Sequence, residues 1–484
     1  METKVQLKNL YLIAVIAIGL IGLGVGSTFA MFTASTSIDN PIAFSSNLSS
    51  TNNLAETIEV VVPAGEDKNV DIVISNTSSD SLNYTAWYSP TSNDLVVGST
   101  SSNNSYGTVG LIPSDGSFTL TVQLRNKGDT PITVTIGVSS SDSQVVIPEG
   151  TAVIPSTQLI PYAAKYITNL YTTATKSTTT VNSITYNLAP SVNLMNDRHA
   201  SMDIDIDDGN IRYYGANAYN YVDIGDRTSN DEVILWRIIG VFDGKLRIVR
   251  NEAIGKYLYD TSASNVNSGQ GVNEWSQADL MKLLNPGYDA EAIGGSLWYK
   301  SGSGSYYFGQ NNGTTECDFT STGLSNKSKD YIIDQTVYLG SGDNSSIYPD
   351  QAYIMERGNS VRTCTDVKVC NDTVERTSSW TGKVALMYPS DYGYAVDLSL
   401  CKKTLSAYDD STCVNNNWLK VPIGWLITPY TSDNYREWAI VGGGYVARGR
   451  GYYADYNVRP VVTLKENIIF ESGTGKSTDP FVVA

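Results

Sequence analysis

The chain has 484 residues, with 49 acidic and 33 basic side chains, a formal net charge of −16 and a pI near 4.5. This balance argues against nucleic acid as a partner, because phosphate binding needs clustered Lys and Arg. A chain of this length usually folds around more than one hydrophobic core, so two or three domains are expected. Only 17 % of the residues are charged, and the Ser-, Thr-, Asn- and Gly-rich remainder is typical of extracellular β-rich proteins.

Residues 1–30 are predicted to be a signal peptide. Lys4 and Lys8 precede an apolar run from about 10 to 32, and Thr28-Phe29-Ala30 provides small residues for cleavage after Ala30. The run is also long enough to span a bilayer, so an uncleaved membrane anchor is the alternative. Both interpretations place the rest of the chain at the cell surface or outside the cell, with membrane contact only through this segment. Residues 26–35 resemble signal peptides of Gram-positive biofilm-matrix and camelysin-type proteins.

Residues 31–155 are predicted to form a β-sandwich. Apolar and polar residues alternate in five segments, which indicates half-buried strands. The segments are 57–62, 70–75, 82–87, 118–124 and 132–138. Short strands separated by turn clusters are typical of an immunoglobulin-like sandwich. Its expected role is a stalk that presents a second domain.

Residues 156–185 are predicted to be a helix and linker. Apolar residues at 162, 166, 167, 170 and 171 have amphipathic helical spacing. The Thr-rich run 172–180 indicates a flexible or turn-forming connection. The second domain is then expected to cover residues 186–484.

Two local patterns stand out in this second domain. Residues 233–250 predict a β-hairpin, with Asp243-Gly244 as its tight turn. Residues 275–285 predict a short helix, with Ser276 as N-cap and Asp279 as capping-box partner.

The order of five features along the chain resembles that of known domains. These features are the hairpin, the helix and the segments 383–390, 424–429 and 458–464. This order resembles that of a family of uncharacterised secreted bacterial domains. It is also similar to the C-type-lectin fold shared by formylglycine-generating enzymes and the variable proteins of diversity-generating retroelements. The resemblance implies a fold class that is mostly β with α+β, in which an immunoglobulin-like β-sandwich precedes a C-type-lectin-like α+β domain. It also implies that loops before the final strand face the ligand and are genetically diversified.

The window 430–456 lies just before the final strand, where the resemblance places the ligand-facing loops. Its six tyrosines and one tryptophan are interleaved with Gly and polar residues without a period of 2 or 3.6, which predicts loops. Tyr and Trp supply rigid contact area, and Arg offers bidentate hydrogen bonds to carboxylates. The competing interpretation is that these tyrosines simply line loops of a β-rich protein. The predicted ligand-binding residues are Tyr430, Tyr435, Arg436, Trp438, Tyr445, Arg448, Arg450, Tyr452, Tyr453 and Tyr456.

All five cysteines lie in the C-terminal half. In an exported chain we predict local disulfides between Cys364 and Cys370 and between Cys401 and Cys413, which leaves Cys317 over. Zinc is the competing interpretation, but His199 is the only histidine in the sequence.

No catalytic residue, metal or cofactor is predicted. The run 203–209 resembles a calcium loop, yet Asp208 and Tyr214 stand where an EF-hand needs Gly and Glu. A nucleophilic triad usually needs a histidine base, and His199 lies in a polar stretch. Formylglycine-generating enzymes use a late cysteine pair, whereas no cysteine follows Cys413.

These observations predict an adhesin-like, non-catalytic binding protein that recognises an extracellular glycan or protein ligand. One alternative is a secreted enzyme on the same fold, either a hydrolase or an oxidoreductase of the formylglycine-generating kind. A deep cleft with paired acids would favour that class, whereas a broad aromatic surface favours binding. The other alternative is a structural biofilm-matrix subunit whose sandwich polymerises by strand exchange.

Overall fold

The computed structural model describes residues 42–48, 56–197, 209–260, 271–285, 319, 323–342, 345–357, 378–421, 423–431, 435–451 and 456–484. The chain divides into two compact units, Met1–Leu159 and Ile160–Ala484. Strands predominate over helices, so the prediction of a mostly β protein is confirmed. The predicted signal segment lies outside the described residues. Within them, no helix has the length and apolar character needed to cross a bilayer.

The first unit consists of two sheets that share one hydrophobic core. Its described strands are β1 (Ile42–Leu48), β2 (Glu56–Val62), β3 (Asp67–Asn76), β4 (Leu82–Ser89), β5 (Leu95–Ser101), β6 (Val109–Ile112), β7 (Ser117–Asn126), β8 (Ile132–Ser141) and β9 (Ala152–Val153). The sheet orders are β1-β3-β7-β5 and β2-β8-β4-β6, with β9 paired to β4. Strand β1 runs parallel to β3, whereas the other pairs are antiparallel.

The alternation of buried and partly exposed residues explains why the sequence could predict these strands. Along β3, Val70, Ile72 and Ile74 are fully buried while the residues between them are half-buried. All five predicted strands are confirmed as β2, β3, β4, β7 and β8. Strands β5 and β6 were not predicted, because Gly, Ser and Thr interrupt the first and the second has four residues.

The second unit is larger and contains helices as well as sheets. Its described strands are β10 (Ser177–Val181), β11 (Ile184–Ala189), β12 (Leu194–Asn196), β13 (Ile211–Tyr213), β14 (Tyr221–Asp223), β15 (Trp236–Phe242), β16 (Lys245–Arg250), β17 (Gly255–Tyr257), β18 (Ile332–Ile333), β19 (Gln335–Tyr338), β20 (Ser379–Gly382), β21 (Val384–Ala385), β22 (Gly424–Pro429), β23 (Arg436–Val441), β24 (Tyr445–Arg450), β25 (Tyr456–Val458), β26 (Val461–Leu464), β27 (Phe470–Ser472) and β28 (Phe481–Val483). Its described helices are α1 (Ala163–Thr173), α2 (Asp279–Leu284), α3 (Asn326–Tyr331), α4 (Pro349–Glu356), α5 (Pro389–Tyr394) and α6 (Ser411–Asn415), with a 3-10 turn at Leu405–Ala407.

Three sheets organise the second unit. The largest has twelve strands, with the main order β10-β11-β12-β13-β15-β14-β28-β27; a branch runs through β16 to β26, which also pairs with β18 and β21. A five-stranded sheet has the order β17-β25-β22-β23-β24, and β19 pairs with β20 alone. One contiguous apolar core, which includes the buried Trp236, Trp275 and Trp425, joins the elements of the unit.

The segment predicted as helix and linker belongs to this second unit. The helix is confirmed as α1, which buries Ala163, Ala164, Ile167 and Tyr171 in the core. The amide of Ala163 also donates to the carbonyl of Ile468 at 2.8 Å. The Thr-rich run is not a flexible connection, since it contains β10, which pairs with β11 over its full length.

The predicted hairpin is confirmed as β15 and β16. Asp243 and Gly244 have φ values of 48° and 73°, as a two-residue hairpin turn with the twist of its strands requires. The predicted start of helix α2 is wrong. The helix begins at Asp279 after Ala278, and the hydroxyl of Ser276 donates to Glu274 instead. The amide of Asp279 donates to the carboxyl of Asp260 at 3.1 Å, so the side chain of Asp260, distant in sequence, caps the start of the helix.

One predicted disulfide is confirmed. Cys401 and Cys413 are bonded, and each is 1 % exposed. Cys317, Cys364 and Cys370 lie outside the described residues, so the second predicted disulfide stays a prediction.

Removal of the observed disulfide should destabilise the second unit. The bond closes a loop of 12 residues, and the double variant Cys401→Ala/Cys413→Ala should lower the free energy of unfolding by about 2–3 kcal/mol, because the unfolded chain regains loop freedom. Urea unfolding followed by tryptophan fluorescence measures this unit, since only Trp87 of the eight tryptophans precedes Ile160. An unchanged midpoint in the double variant would contradict the expectation.

Candidate functional site

The predicted binding window is part of a sheet. Residues 436–450 form the β23–β24 hairpin, in which Arg436 faces Arg450 and Val441 faces Tyr445. Its turn contains three glycines at 442–444 with φ values of 51°, 103° and 127°, where other residues would be strained. The prediction that this window consists of loops is therefore wrong. The lack of alternation in its first strand has a physical reason, because β23 is buried on both faces from Glu437 to Ile440 and strands of this kind show no period of 2.

Trp438 is the clearest correction among the predicted ligand-binding residues. Its side chain is 1 % exposed, and its indole N–H donates to the carbonyl of Gly342 at 2.7 Å. A side chain at this position cannot touch a ligand in solution. Trp438 is a core residue of the second unit.

The other described members of the predicted site form separate pairs. Arg448 is exposed, and it donates to the hydroxyl of Tyr430 at 3.1 Å. The guanidinium of Arg436 lies 5.0 Å from the ring centroid of Tyr435. Tyr445 and Tyr456 are half-buried, and the ring of Tyr456 packs 4.5 Å from that of Trp425. For Arg450 only the backbone is described, and Tyr452 and Tyr453 lie outside the described residues. The described pairs make a small Tyr–Arg surface, not a continuous aromatic platform.

A cavity of about 770 Å³ lies elsewhere in the second unit. Its walls come from the β15–β16 hairpin, β19, the start of β20, helix α4 and strand β26. The lining residues are Asn210, Phe242, Asp243, Lys245, Arg247, Ile333, Asp334, Gln335, Thr336, Tyr338, Tyr353, Arg357, Ser378, Ser379, Tyr388 and Thr463. None of these residues was predicted to bind a ligand.

A buried network of charges lies behind one wall of this cavity. Arg212 is 1 % exposed and makes ion pairs with Asp197 and with Asp391, the latter at 2.7 Å. Arg247 lies 3.2 Å from the other oxygen of Asp391. Burial alone would raise the pKa of Asp391, but Arg247 and Arg212 hold it below its usual value. Asp391 is therefore ionised, and it fixes two guanidinium groups at once.

Arg247 connects this network to the cavity. It is 7 % exposed, and its guanidinium lies 4.6 Å from the ring centroid of Tyr388 and 5.5 Å from that of Phe242. Its Nε has no hydrogen-bond partner among the described residues, and Nη2 faces Asp391 without hydrogen-bond geometry. Both atoms are buried, and a buried donor without an acceptor costs about 1–3 kcal/mol, a cost that is relieved only if an acceptor reaches the guanidinium.

Arg357 is the second guanidinium in the cavity wall. It stacks on the ring of Tyr353, 3.1 Å from the centroid, and Nη1 donates to the carbonyl of Tyr353 at 2.9 Å. The rings of Tyr338 and Tyr388 lie about 6 Å away on the same wall. Lys245 contributes a third cation, which is paired with Glu466.

The acidic groups near the cavity do not balance these cations. Asp243 is exposed, and the side chain of Asp334 is 66 % exposed and lies 3.9 Å from Lys383, so solvent screens both carboxylates. Glu356 is fully buried, and it accepts hydrogen bonds from the amide of Ser390 at 2.7 Å and its hydroxyl at 2.5 Å.

Burial raises the pKa of Glu356 to about 8, against the opposing effect of Arg357. Glu356 is therefore mostly neutral at pH 7. Arg212 and Arg247 pair with Asp197 and Asp391, whereas the carboxyl that Arg357 faces is that of Glu356, 3.6 Å from its Nη1. This leaves one positive charge in excess at the wall.

The cavity suits an anion better than a cation or a metal. Within the described parts of the chain, no group of three or more His, Cys, Asp or Glu side chains converges as a metal site requires. The one sequence signal for the cavity was the presence of arginines in otherwise apolar strands, such as Arg247 in Leu246-Arg247-Ile248. Its other residues span positions 210 to 463, and only the fold brings them together.

Truncation of Trp438 should destabilise the protein and not merely weaken binding. Trp438→Ala removes a buried indole and its hydrogen bond, so the free energy of unfolding should fall by about 3 kcal/mol or more. Arg448→Ala is the matched control from the same hairpin. Removal of this exposed side chain should lower the free energy of unfolding by less than about 1 kcal/mol. Equal midpoints for the two variants in urea unfolding would contradict the buried position of Trp438.

Glu356 should make stability depend on pH in a predictable direction. Burial raises its pKa from 4.5 to about 8 on folding, so the folded state binds the proton more tightly. The stabilising effect is complete below pH 4.5 and is lost as the pH rises toward 8.

Glu356→Gln should remove this dependence, since an amide keeps the contacts to Ser390 without ionising. Between pH 4.5 and 8.5, the free energy of unfolding of the variant should increase by on the order of 3 kcal/mol relative to that of the wild type. Tm measured across this range tests the expectation, with the exposed Glu471→Gln as control. Parallel Tm profiles for the wild type and Glu356→Gln would refute it.

Comparison of the chain with family models, with curated proteins and with solved structures finds no match. The resemblance to the C-type-lectin fold therefore remains a prediction from the order of sequence features. The function has to be inferred from the geometry of the site itself.

Proposed function

We propose that this chain is an exported, adhesin-like binding protein whose C-terminal unit recognises the anionic group of an extracellular ligand in the cavity. The observation that carries the proposal is Arg247. It is a buried cation that lines the cavity, and neither Nε nor Nη2 of its guanidinium has a hydrogen-bond partner among the described residues. Such a group is stabilised when an anion enters, and it discriminates against neutral ligands.

The electrostatics of the whole chain favour selectivity for anions at this one place. The protein carries a net charge of −16, so most of its exterior repels anions at low ionic strength. The cavity wall instead presents Arg247, Arg357 and Lys245. A cleft of opposite sign to its surroundings raises the local concentration of the matching ligand.

The polar groups of the cavity favour a rigid binding site over a catalytic one. The hydroxyl of Tyr388 donates to the carbonyl of Tyr338 and accepts from its amide. The amide of Gln335 is held by two backbone carbonyls and by the hydroxyl of Thr463. Groups that are fixed in this way position a ligand well but have no free proton to transfer.

Two further observations support the cellular setting of the proposal. The buried disulfide Cys401–Cys413 is typical of proteins that fold in oxidising compartments. The two sheets around one core in the first unit are compatible with an immunoglobulin-like sandwich. We retain the C-type-lectin-like fold as the proposed family of the second unit.

Binding of the full chain to an array of neutral and acidic glycans and acidic peptides tests the proposal. Acidic members should bind, and binding should weaken as salt increases. Arg357→Gln and Arg247→Gln should each reduce affinity at least about tenfold, because truncation of a buried charged partner costs about 2–5 kcal/mol.

Two control variants identify the surface that is used. Lys402→Gln removes an exposed charge that does not line the cavity, and it should leave binding unchanged. Arg448→Gln alters the Tyr–Arg surface of the β23–β24 hairpin. Loss of binding in Arg448→Gln together with full binding in Arg357→Gln would move the site to that surface and overturn the proposal.

A further inference from the structure

We propose that the cavity takes a carboxylate-bearing saccharide, whose carboxylate pairs with Arg357 and Arg247 and whose ring lies against Tyr338. This inference rests on the proposed function of the cavity and adds the chemical class of its ligand. Three features of the described residues carry it.

The first feature is the chemistry of the lining. Ile333 is the single aliphatic side chain among the sixteen described lining residues, and the others are aromatic, charged, amide or hydroxyl groups. Cavities for drug-like ligands are mostly apolar. A wall of this kind instead matches a ligand that carries hydroxyl groups over most of its surface.

The second feature is the contact of the two guanidinium groups with aromatic rings. Arg357 lies 3.1 Å from the ring centroid of Tyr353, and Arg247 lies 4.6 Å from that of Tyr388 and 5.5 Å from that of Phe242. A guanidinium that lies over a ring keeps its N–H edge for hydrogen bonding. A guanidinium edge matches a planar carboxylate with two parallel hydrogen bonds.

The third feature is Tyr338, an exposed residue of the cavity lining. It ends strand β19, is 45 % exposed and faces Ser379 across the two-stranded sheet. An exposed phenol ring offers an apolar face to the C–H groups of a sugar ring. Ligand sites commonly measure about 300–1,000 Å³, and a volume of about 770 Å³ admits a short oligosaccharide and not only a small anion.

An acidic peptide fits these walls less well. Peptides are usually bound as an added strand at an open sheet edge or as a helix in an apolar groove. At the end of β19 the backbone amide and carbonyl of Tyr338 are already bound by the hydroxyl of Tyr388, and aliphatic groups are scarce in the described lining. The saccharide is therefore the ligand that the observations favour.

Isothermal titration of the full chain distinguishes these ligands. The probes are a trimer of galacturonic acid, its methyl ester, maltotriose and triglutamate. The acidic trisaccharide should bind, and the methyl ester and maltotriose should bind at least about tenfold more weakly because they lack the charged partner of Arg357 and Arg247.

Variants separate the two parts of the proposed contact. Tyr338→Ala should weaken binding of the acidic trisaccharide at least about fivefold, because it removes the ring that contacts the sugar. The side chain is exposed, so its loss should not affect folding. Arg357→Gln should abolish the preference for the acid over its methyl ester. Lys402→Gln should leave every affinity as in the wild type, and unchanged Tm values show that the variants are folded.

The outcomes also separate this inference from the proposed function. Triglutamate binding that equals or exceeds trisaccharide binding, and that is lost in Arg357→Gln, would overturn the saccharide class and keep the anion site. Equal binding of the acid and its methyl ester would overturn both. Absence of binding by all four probes would overturn the saccharide inference, while the array still decides the proposed function.

Discussion

The ion pairs of Arg212 with Asp197 and Asp391 hold the second unit in its arrangement. They join the end of β12, strand β13 and helix α5, and the Arg212–Asp391 contact spans 179 residues of sequence. Asp391 also pairs with Arg247 in β16, while its neighbour Ser390 binds Glu356 at the end of α4. The sheet and the two helices that border the cavity therefore depend on one buried set of charges.

Such a network contributes more to uniqueness of structure than to stability. The desolvation of buried ions offsets most of their attraction, yet loss of one partner leaves an uncompensated charge in the core. Arg212 limits this cost by stacking on aromatic rings, with Phe242 at 4.6 Å and Tyr394 at 4.9 Å. We interpret the network as a device that allows one placement of α5 on the sheet, and this placement also sets the position of Arg247.

Local patterns account for the parts of the fold that the sequence could predict. Strands with one buried face, helix α1, the Asp243-Gly244 hairpin and the disulfide between Cys401 and Cys413 all follow from neighbouring residues. The β23–β24 hairpin could not be identified in this way, since Ile440 and Ala439 on its opposite faces are both fully buried. The cavity was missed for another reason, because Arg247 and Arg357 meet only after the sheet and α4 have packed.

The burial of the disulfide affects how the protein responds to reducing conditions. Thiol–disulfide exchange requires that a thiolate approach a sulfur atom directly. Both cysteines are 1 % exposed; the 3-10 turn Leu405–Ala407 lies between them in sequence, and Cys413 is part of helix α6. A small reductant can therefore act only after the segment opens locally, so the lifetime of the bond depends on how often this part of the chain opens, and it reports the opening rate itself once the reductant is concentrated enough to react before the segment closes.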